Sequence, residues 1–142
     1  MSAPDRGRKG AGRVQRAAGK GGARPGRQGA VAPAGVPARI AVRVEQVQRV
    51  LGEVLQWQYP ADAVLSHWLR AHPGLGARDR SELAEAVYDV LRHLRRYRQY
   101  AESGVGPASR RLALLGLAAT LGADALGPAL ADEERQWLDR VL

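Results

Sequence analysis

Apolar residues recur at three- and four-residue steps through most of the chain beyond residue 38, which is the spacing of one helix face. The first such stretch runs from about Ala38 to Trp57. Its apolar positions are Val44, Val47, Leu51, Val54 and Leu55. A second stretch begins at Pro60, a residue that suits the first turn of a helix, and ends at Pro73. No segment alternates apolar and polar residues as a strand does, so the pattern predicts an all-α fold.

The third stretch has the clearest boundary signals. Asp79 is a favourable N-cap, and Glu82 follows three residues later as in a capping box. The pattern predicts one continuous helix from Asp79 to a stop at residues 103–104. Its apolar stripe consists of Leu83, Val87, Val90, Leu91, Leu94 and Tyr97. The side opposite this stripe carries Arg92, Arg95, Arg96 and Gln99.

Two more helices complete the predicted bundle. The fourth starts near Pro107 and ends at Gly122, and it is apolar on most sides, which is typical of a central helix. The fifth starts near Ala131, and its acidic first turn complements the helix dipole. Short connections favour a bundle of about five helices. The last helix stops at Leu142 in mid-pattern, so we expect the domain to be truncated at its C-terminal end.

Residues 1–38 differ in composition from the rest of the chain. They are rich in Gly, Ala, Arg and Pro and hold few residues that could pack in a core. Such a segment cannot offset the entropy of ordering, so it is predicted to be disordered. The sequence therefore predicts two parts, a disordered tail over 1–38 and a helical domain over 39–142.

The excess positive charge lies in the tail. Residues 1–39 carry nine Lys and Arg against one acid, whereas residues 40–142 carry thirteen bases and thirteen acids. A cationic arm on a neutral body indicates a polyanionic partner. The candidate RNA contacts in the tail are Arg6, Arg8, Lys9, Arg13, Arg16 and Lys20. The alternative is a solubilising extension without a specific partner.

A second group of candidate RNA contacts lies on the third predicted helix. Arg78 and Arg80 flank its start, and Arg92, Arg95 and Arg96 lie towards its end. Arginine binds phosphate through two parallel hydrogen bonds and stacks on bases. The neighbouring tyrosines at positions 97 and 100 could add stacking faces. The alternative is a solvated helix face whose arginines suit the dipole at the helix C-terminus.

No residue pattern predicts catalysis in this chain. Cysteine is absent, which excludes disulfides, thiolate metal sites and a cysteine nucleophile. The histidines are spaced wrongly for a shared metal, and no glycine-rich phosphate loop follows a strand. No apolar run reaches the roughly 20 residues that span a bilayer. No secretory signal is present either, and the Gly and Pro content disfavours a transit helix. We therefore expect a cytoplasmic protein without a membrane partner.

One segment resembles a known family. Residues 75–80 read LGARDR and lead into LAEAVYDVLR at 83–92. Together with the helix at 47–55 and the sequence PADAVL at 60–65, this resembles the NusB-like domain that begins RsmB/Sun-type RNA methyltransferases. The resemblance covers about residues 40–142.

The resemblance implies an RNA-binding domain that docks a methyltransferase on small-subunit ribosomal RNA. In that family a following Rossmann-type domain binds S-adenosylmethionine and methylates cytosine at carbon 5 with catalytic cysteines. This chain has neither that domain nor a cysteine, so the cofactor is expected only in a missing part of the parent enzyme. The alternative is a free-standing NusB-like antitermination or protein-adaptor module that ends naturally near Leu142.

Overall fold

The computed structural model describes residues 35–142 and builds this part of the chain from seven α-helices. The helices are α1 (Gly35–Val54), α2 (Ala61–Arg70), α3 (Ala77–Arg92), α4 (Leu94–Ala101), α5 (Ala108–Leu121), α6 (Ala123–Leu126) and α7 (Asp132–Val141). A 3-10 turn over Gly127–Ala129 follows α6. Residues 35–142 contain no strand, which confirms the predicted all-α class. Residues 35–38 of the predicted tail belong to α1, whereas the rest of the tail, with the candidate bases at 6, 8, 9, 13, 16 and 20, lies outside the described residues.

Helix α1 begins at Gly35, three residues before the predicted start. Pro37 is accommodated because the first four N–H groups of a helix have no intrahelical partner. The earlier start adds Ile40, which is buried, to the predicted apolar stripe. The helix ends at Val54 rather than at Trp57, whose φ of 59° is incompatible with a right-handed helix. The first helix was therefore predicted correctly in its apolar face and wrongly at both ends.

The third predicted helix is two helices, so the prediction of one continuous element is wrong. Helix α3 ends at Arg92 and α4 begins at Leu94, with φ −116° and ψ 24° at the intervening His93. Asp89 has hydrogen-bond partners on both sides of this junction. Its backbone carbonyl accepts the His93 amide at 3.1 Å, and its carboxylate accepts the Tyr97 hydroxyl at 2.6 Å. The His93 Nδ1 atom also lies 3.0 Å from the Asp89 carbonyl oxygen, and side chain-to-backbone hydrogen bonds compete with the regular helical pattern.

Helix α5 packs against α3 and forms the centre of the core. Its residues from Leu112 to Ala118 are all buried, which agrees with the predicted central helix. The two helices approach closely at Gly116, where a Cβ atom would lie 2.6 Å from the Ala86 carbonyl oxygen. Only glycine lets the backbones come this close without displacing α3.

The connection between the fourth and fifth predicted helices is partly helical. Helix α6 and the 3-10 turn cover it, and they bury Leu126 and Leu130 against the core. Helix α7 follows with Trp137 and Leu138 buried. The indole Nε1–H of Trp137 donates to the Tyr100 carbonyl at 3.1 Å, which ties α7 to the end of α4.

Candidate nucleic-acid interface

A strongly basic surface surrounds the junction of α3 and α4. The segment from Val90 to Ala101 contains four arginines and no acid. Arg92, Arg95 and Arg96 are exposed, and together with His93 and Gln99 they line an open depression of about 370 Å³. The structure therefore brings three of the five candidate arginines of the domain into one place, as their predicted position on one helix face requires.

The positive charge of this depression is largely uncompensated. Among the described residues, the one acid close to this depression is Asp89, whose Oδ1 atom lies 3.8 Å from Arg92 Nη2 and 3.2 Å from His93 Nδ1. Arg95 and Arg96 form no ion pair with any residue in 35–142. The Asp89 carboxylate is itself buried and already accepts the Tyr97 hydroxyl. The depression can therefore offer guanidinium groups to an external anion.

The helix break changes how these arginines relate to the helix dipole. In one continuous helix they would occupy the last turns, where the dipole favours cations. In the structure, Arg95 and Arg96 lie in the first turn of α4, and that turn contains no acid. A cation gains nothing from the dipole at a helix N-terminus. The helix dipole thus favours Arg92, in the last turn of α3, but it does not favour Arg95 and Arg96.

The prediction that Tyr97 offers a stacking face is wrong. Its side chain is buried beneath α4, and burial together with the hydrogen bond to Asp89 raises the pKa of the phenol well above its usual value. Tyr100 is half-buried against the core, and its carbonyl accepts the Trp137 indole. Stacking at this surface would rest on the arginine guanidinium planes.

Arg78 and Arg80 do not line the depression. The Arg80 Nε–H donates to the Leu75 carbonyl at 3.0 Å and so holds the loop before α3. The Arg78 Nε atom lies 3.3 Å from an oxygen of Glu82, although the arginine side chain is largely exposed. These two candidates therefore have local partners, unlike the arginines of α4.

Sequence reasoning missed the ion network between α1 and α3. Arg43 falls on the polar side of the predicted stripe, yet it is 3% exposed and pairs with Asp79. Its Nε lies 3.4 Å from Glu82 Oε1, and Arg39 Nη2 donates to the same oxygen at 2.9 Å. No local signal identifies this network because Arg43 and Asp79 are 36 positions apart.

The predicted N-cap and capping box of this helix are also wrong. Helix α3 starts at Ala77 after an extended Gly76, without a side-chain cap. Asp79 therefore lies inside the first turn, where it remains favourable to the dipole and pairs with Arg43. Glu82 faces the arginines of the network instead of the helix N-terminus.

A second interhelical ion pair joins α5 to α7. The Arg110 Nε–H donates to Glu134 Oε2 at 2.5 Å, and Nη2 donates to Oε1 at 3.1 Å. The hydrogen bonds from Arg110 lower the pKa of the Glu134 carboxyl, although burial opposes the shift, and the same hydrogen bonding raises the pKa of Arg110. This arginine is thereby removed from the set that could contact a ligand.

Residues 35–142 contain no group of three or more His, Asp or Glu side chains placed to hold a metal ion. No helix in this range is long and apolar enough to cross a membrane. Protein-family models, curated proteins and solved structures gave no significant match to the chain.

Proposed function

We propose that this chain is an RNA-binding helical domain whose principal contact surface is the arginine depression at the junction of α3 and α4. The observation that supports this proposal is the grouping of Arg92, Arg95 and Arg96 at one open surface with almost no compensating acid. Guanidinium groups in this arrangement can bind phosphate bidentately and stack on unpaired bases.

The family resemblance extends the proposal to a parent enzyme. The domain would dock a methyltransferase on small-subunit ribosomal RNA, and a separate domain would bind S-adenosylmethionine and methylate cytosine at carbon 5. The basic tail, with Arg6, Arg8 and Lys9 among its cations, would add sequence-independent affinity through counterion release. Cytoplasmic location belongs to the same proposal.

The site is tested by the affinity of the full chain for a short mixed-sequence single-stranded RNA at several salt concentrations. Replacing Arg92 and Arg96 with Ala should weaken binding and reduce the slope of log affinity against log salt by about 0.7 per lost phosphate contact. A charge-matched control replaces Arg49 and Arg70, which are exposed on α1 and α2. An equal loss of RNA affinity in both double variants would contradict this site. It would show that binding depends on the total positive charge and not on where the arginines lie.

The parent-enzyme part of the proposal has a separate test. Reading the native coding sequence past codon 142 should reveal a glycine-rich nucleotide loop and cysteines in the same frame. A stop codon directly after Leu142 would overturn the methyltransferase assignment while leaving RNA binding intact. The adaptor alternative would then be favoured, and the firm attachment of α7 through Glu134 and Trp137 is consistent with such a module.

A further inference from the structure

A second surface of different chemistry lies where α1 meets α2. Glu53, Tyr59, Ala63, Val64 and His67 line an open cleft of about 440 Å³, and none of them borders the arginine depression. The side chain of Val64 is buried at this position, whereas the other four contribute partly or fully exposed surface. A cleft of this size falls in the range that accommodates a ligand group.

The connection between the two helices exposes two large aromatic rings. Trp57 is 61% exposed and Tyr59 is 68% exposed. Trp57 also has a φ of 59°, a left-handed conformation that is sterically unfavourable for a bulky residue. Neither feature contributes to the packing of the core. Exposed Trp and Tyr are the residue types that most often dominate protein interfaces.

The lining of this cleft holds a carboxylate and no strong base. Glu53 is its only acid, and neither Lys nor Arg lines it, whereas the chain has a net charge of +8. Negative charge repels the phosphates of a nucleic acid. A carboxylate beside an aromatic face instead attracts a cation, because the ring presents the negative face of its quadrupole.

We propose that this cleft binds an arginine or lysine side chain from a basic peptide segment of a partner protein. The cation would lie over the Tyr59 ring with the Glu53 carboxylate nearby, while Val64 and Ala63 contact the aliphatic stem. Trp57, two residues before Tyr59, adds apolar contact area for the flanking peptide. This surface is independent of the RNA site, so the chain would join an RNA to a protein.

The test uses the full, isotopically labelled chain and an acetylated, amidated Gly-Arg-Gly-Arg-Gly peptide. Binding is followed through the Trp57 indole NMR signal, which is assigned by its loss in Trp57→Phe. A peptide with citrulline in place of arginine keeps the shape and removes the charge. We expect the arginine peptide to shift the Trp57 signal and the citrulline peptide to leave it unchanged.

Variants at the cleft locate the contact. Tyr59→Ala and Glu53→Gln should each weaken peptide binding roughly 2- to 5-fold, the range expected at an exposed site of a cation–π contact and of an ion pair, respectively. Tyr59→Phe should bind as the unaltered chain does, and so should Glu85→Gln, which removes an exposed acid from α3. The three positions changed in these four variants are all exposed, so circular dichroism should show an unaltered fold.

Three outcomes would overturn this proposal. Equal binding of the citrulline peptide would show that the cleft selects apolar shape and not charge. Unaltered affinity in both Tyr59→Ala and Glu53→Gln would place the peptide elsewhere. A Trp57 shift caused by single-stranded RNA, and none by the peptide, would make the surface a base-stacking site.

The variant that lacks Arg92 and Arg96 should still bind the peptide, so failure of the RNA site and failure of this cleft are distinguishable.

Discussion

Replacing Gly116 with Ala should destabilise the domain, although the same change normally strengthens a helix. A Cβ atom at this position would lie 2.6 Å from the Ala86 carbonyl oxygen and 2.7 Å from a methyl group of Val90. The valine could change rotamer, but the carbonyl belongs to the backbone of α3. Relief of the clash therefore requires α3 and α5 to separate where their packing forms the core.

The magnitude follows from two opposing effects. Alanine is favoured over glycine in a helix by about 1 kcal/mol. Overpacking a core typically costs about 1 to 3 kcal/mol, and a clash with backbone belongs to the upper part of that range. We therefore expect Gly116→Ala to lower the free energy of unfolding by about 1 to 2 kcal/mol, which corresponds to a fall in Tm of roughly 4–8 °C per kcal/mol.

Gly52 provides the matched control. It lies inside α1, and a Cβ atom there would have no neighbour within 4 Å. Gly52→Ala should therefore raise the free energy of unfolding by about 0.5 to 1 kcal/mol, since only the helix preference acts. Urea unfolding of both variants, followed by circular dichroism, measures the two effects. Changes of equal sign would refute the close approach of α3 and α5 at Gly116.

Three other substitutions, and a fourth as a control, test polar contacts through the same unfolding assay. Tyr97→Phe should cost about 1 to 3 kcal/mol by depriving the buried Asp89 of its donor. Since the raised phenol pKa contributes stability that is lost as pH rises above about 10, this difference should shrink in alkali. Glu134→Gln should cost roughly 1 to 2 kcal/mol at neutral pH. The lowered Glu134 pKa contributes stability that is lost as pH falls below about 4, so the difference should shrink in acid. Arg43→Ala should cost about 3 to 5 kcal/mol by leaving buried carboxylate charge uncompensated, whereas Arg39→Ala, at a more exposed site, should cost under about 1 kcal/mol.

Each of these predictions has a contradicting result. A pH-independent difference between the unaltered chain and Tyr97→Phe would mean that the phenol does not titrate with the raised pKa. A Glu134→Gln variant whose deficit persists unchanged in acid would show that its effect is not that of the ionised carboxylate. Equal losses in Arg43→Ala and Arg39→Ala would show that burial does not distinguish the two members of the network.

Apolar periodicity predicted the parts of the fold that depend on local spacing. The stripes of α1 and α5 follow directly from the helical repeat, because each buried position is determined by its own helix. The break at His93 could not be predicted in the same way. No Gly or Pro marks it, and the hydrogen bond from Tyr97 to Asp89 across the break spans eight positions within an otherwise helical pattern.

The candidate site was predicted only as far as its residues share one helix face. Arg92, Arg95 and Arg96 come together because the break at His93 is small enough to keep them on one side. Trp57 was predicted to be the last residue of the first helix, and its left-handed backbone and exposed indole have no sequence signal. Sequence patterns identify buried helix faces well, but they do not distinguish an aromatic residue that packs in the core from one that is exposed to solvent.

Pairing within the domain explains how a segment with equal numbers of acids and bases can carry two surfaces of opposite charge. Several acids that could have neutralised the α4 arginines already bind other side chains of the domain. Glu82 and Asp79 bind the arginines of α1, Glu134 binds an arginine of α5, and Asp89 is buried beneath Tyr97. The arginine depression is thus left positive and the cleft at Glu53 is left negative. The zero net charge of residues 40–142 therefore does not reveal these two surfaces. They carry opposite charge only because the other charged side chains pair with each other inside the domain.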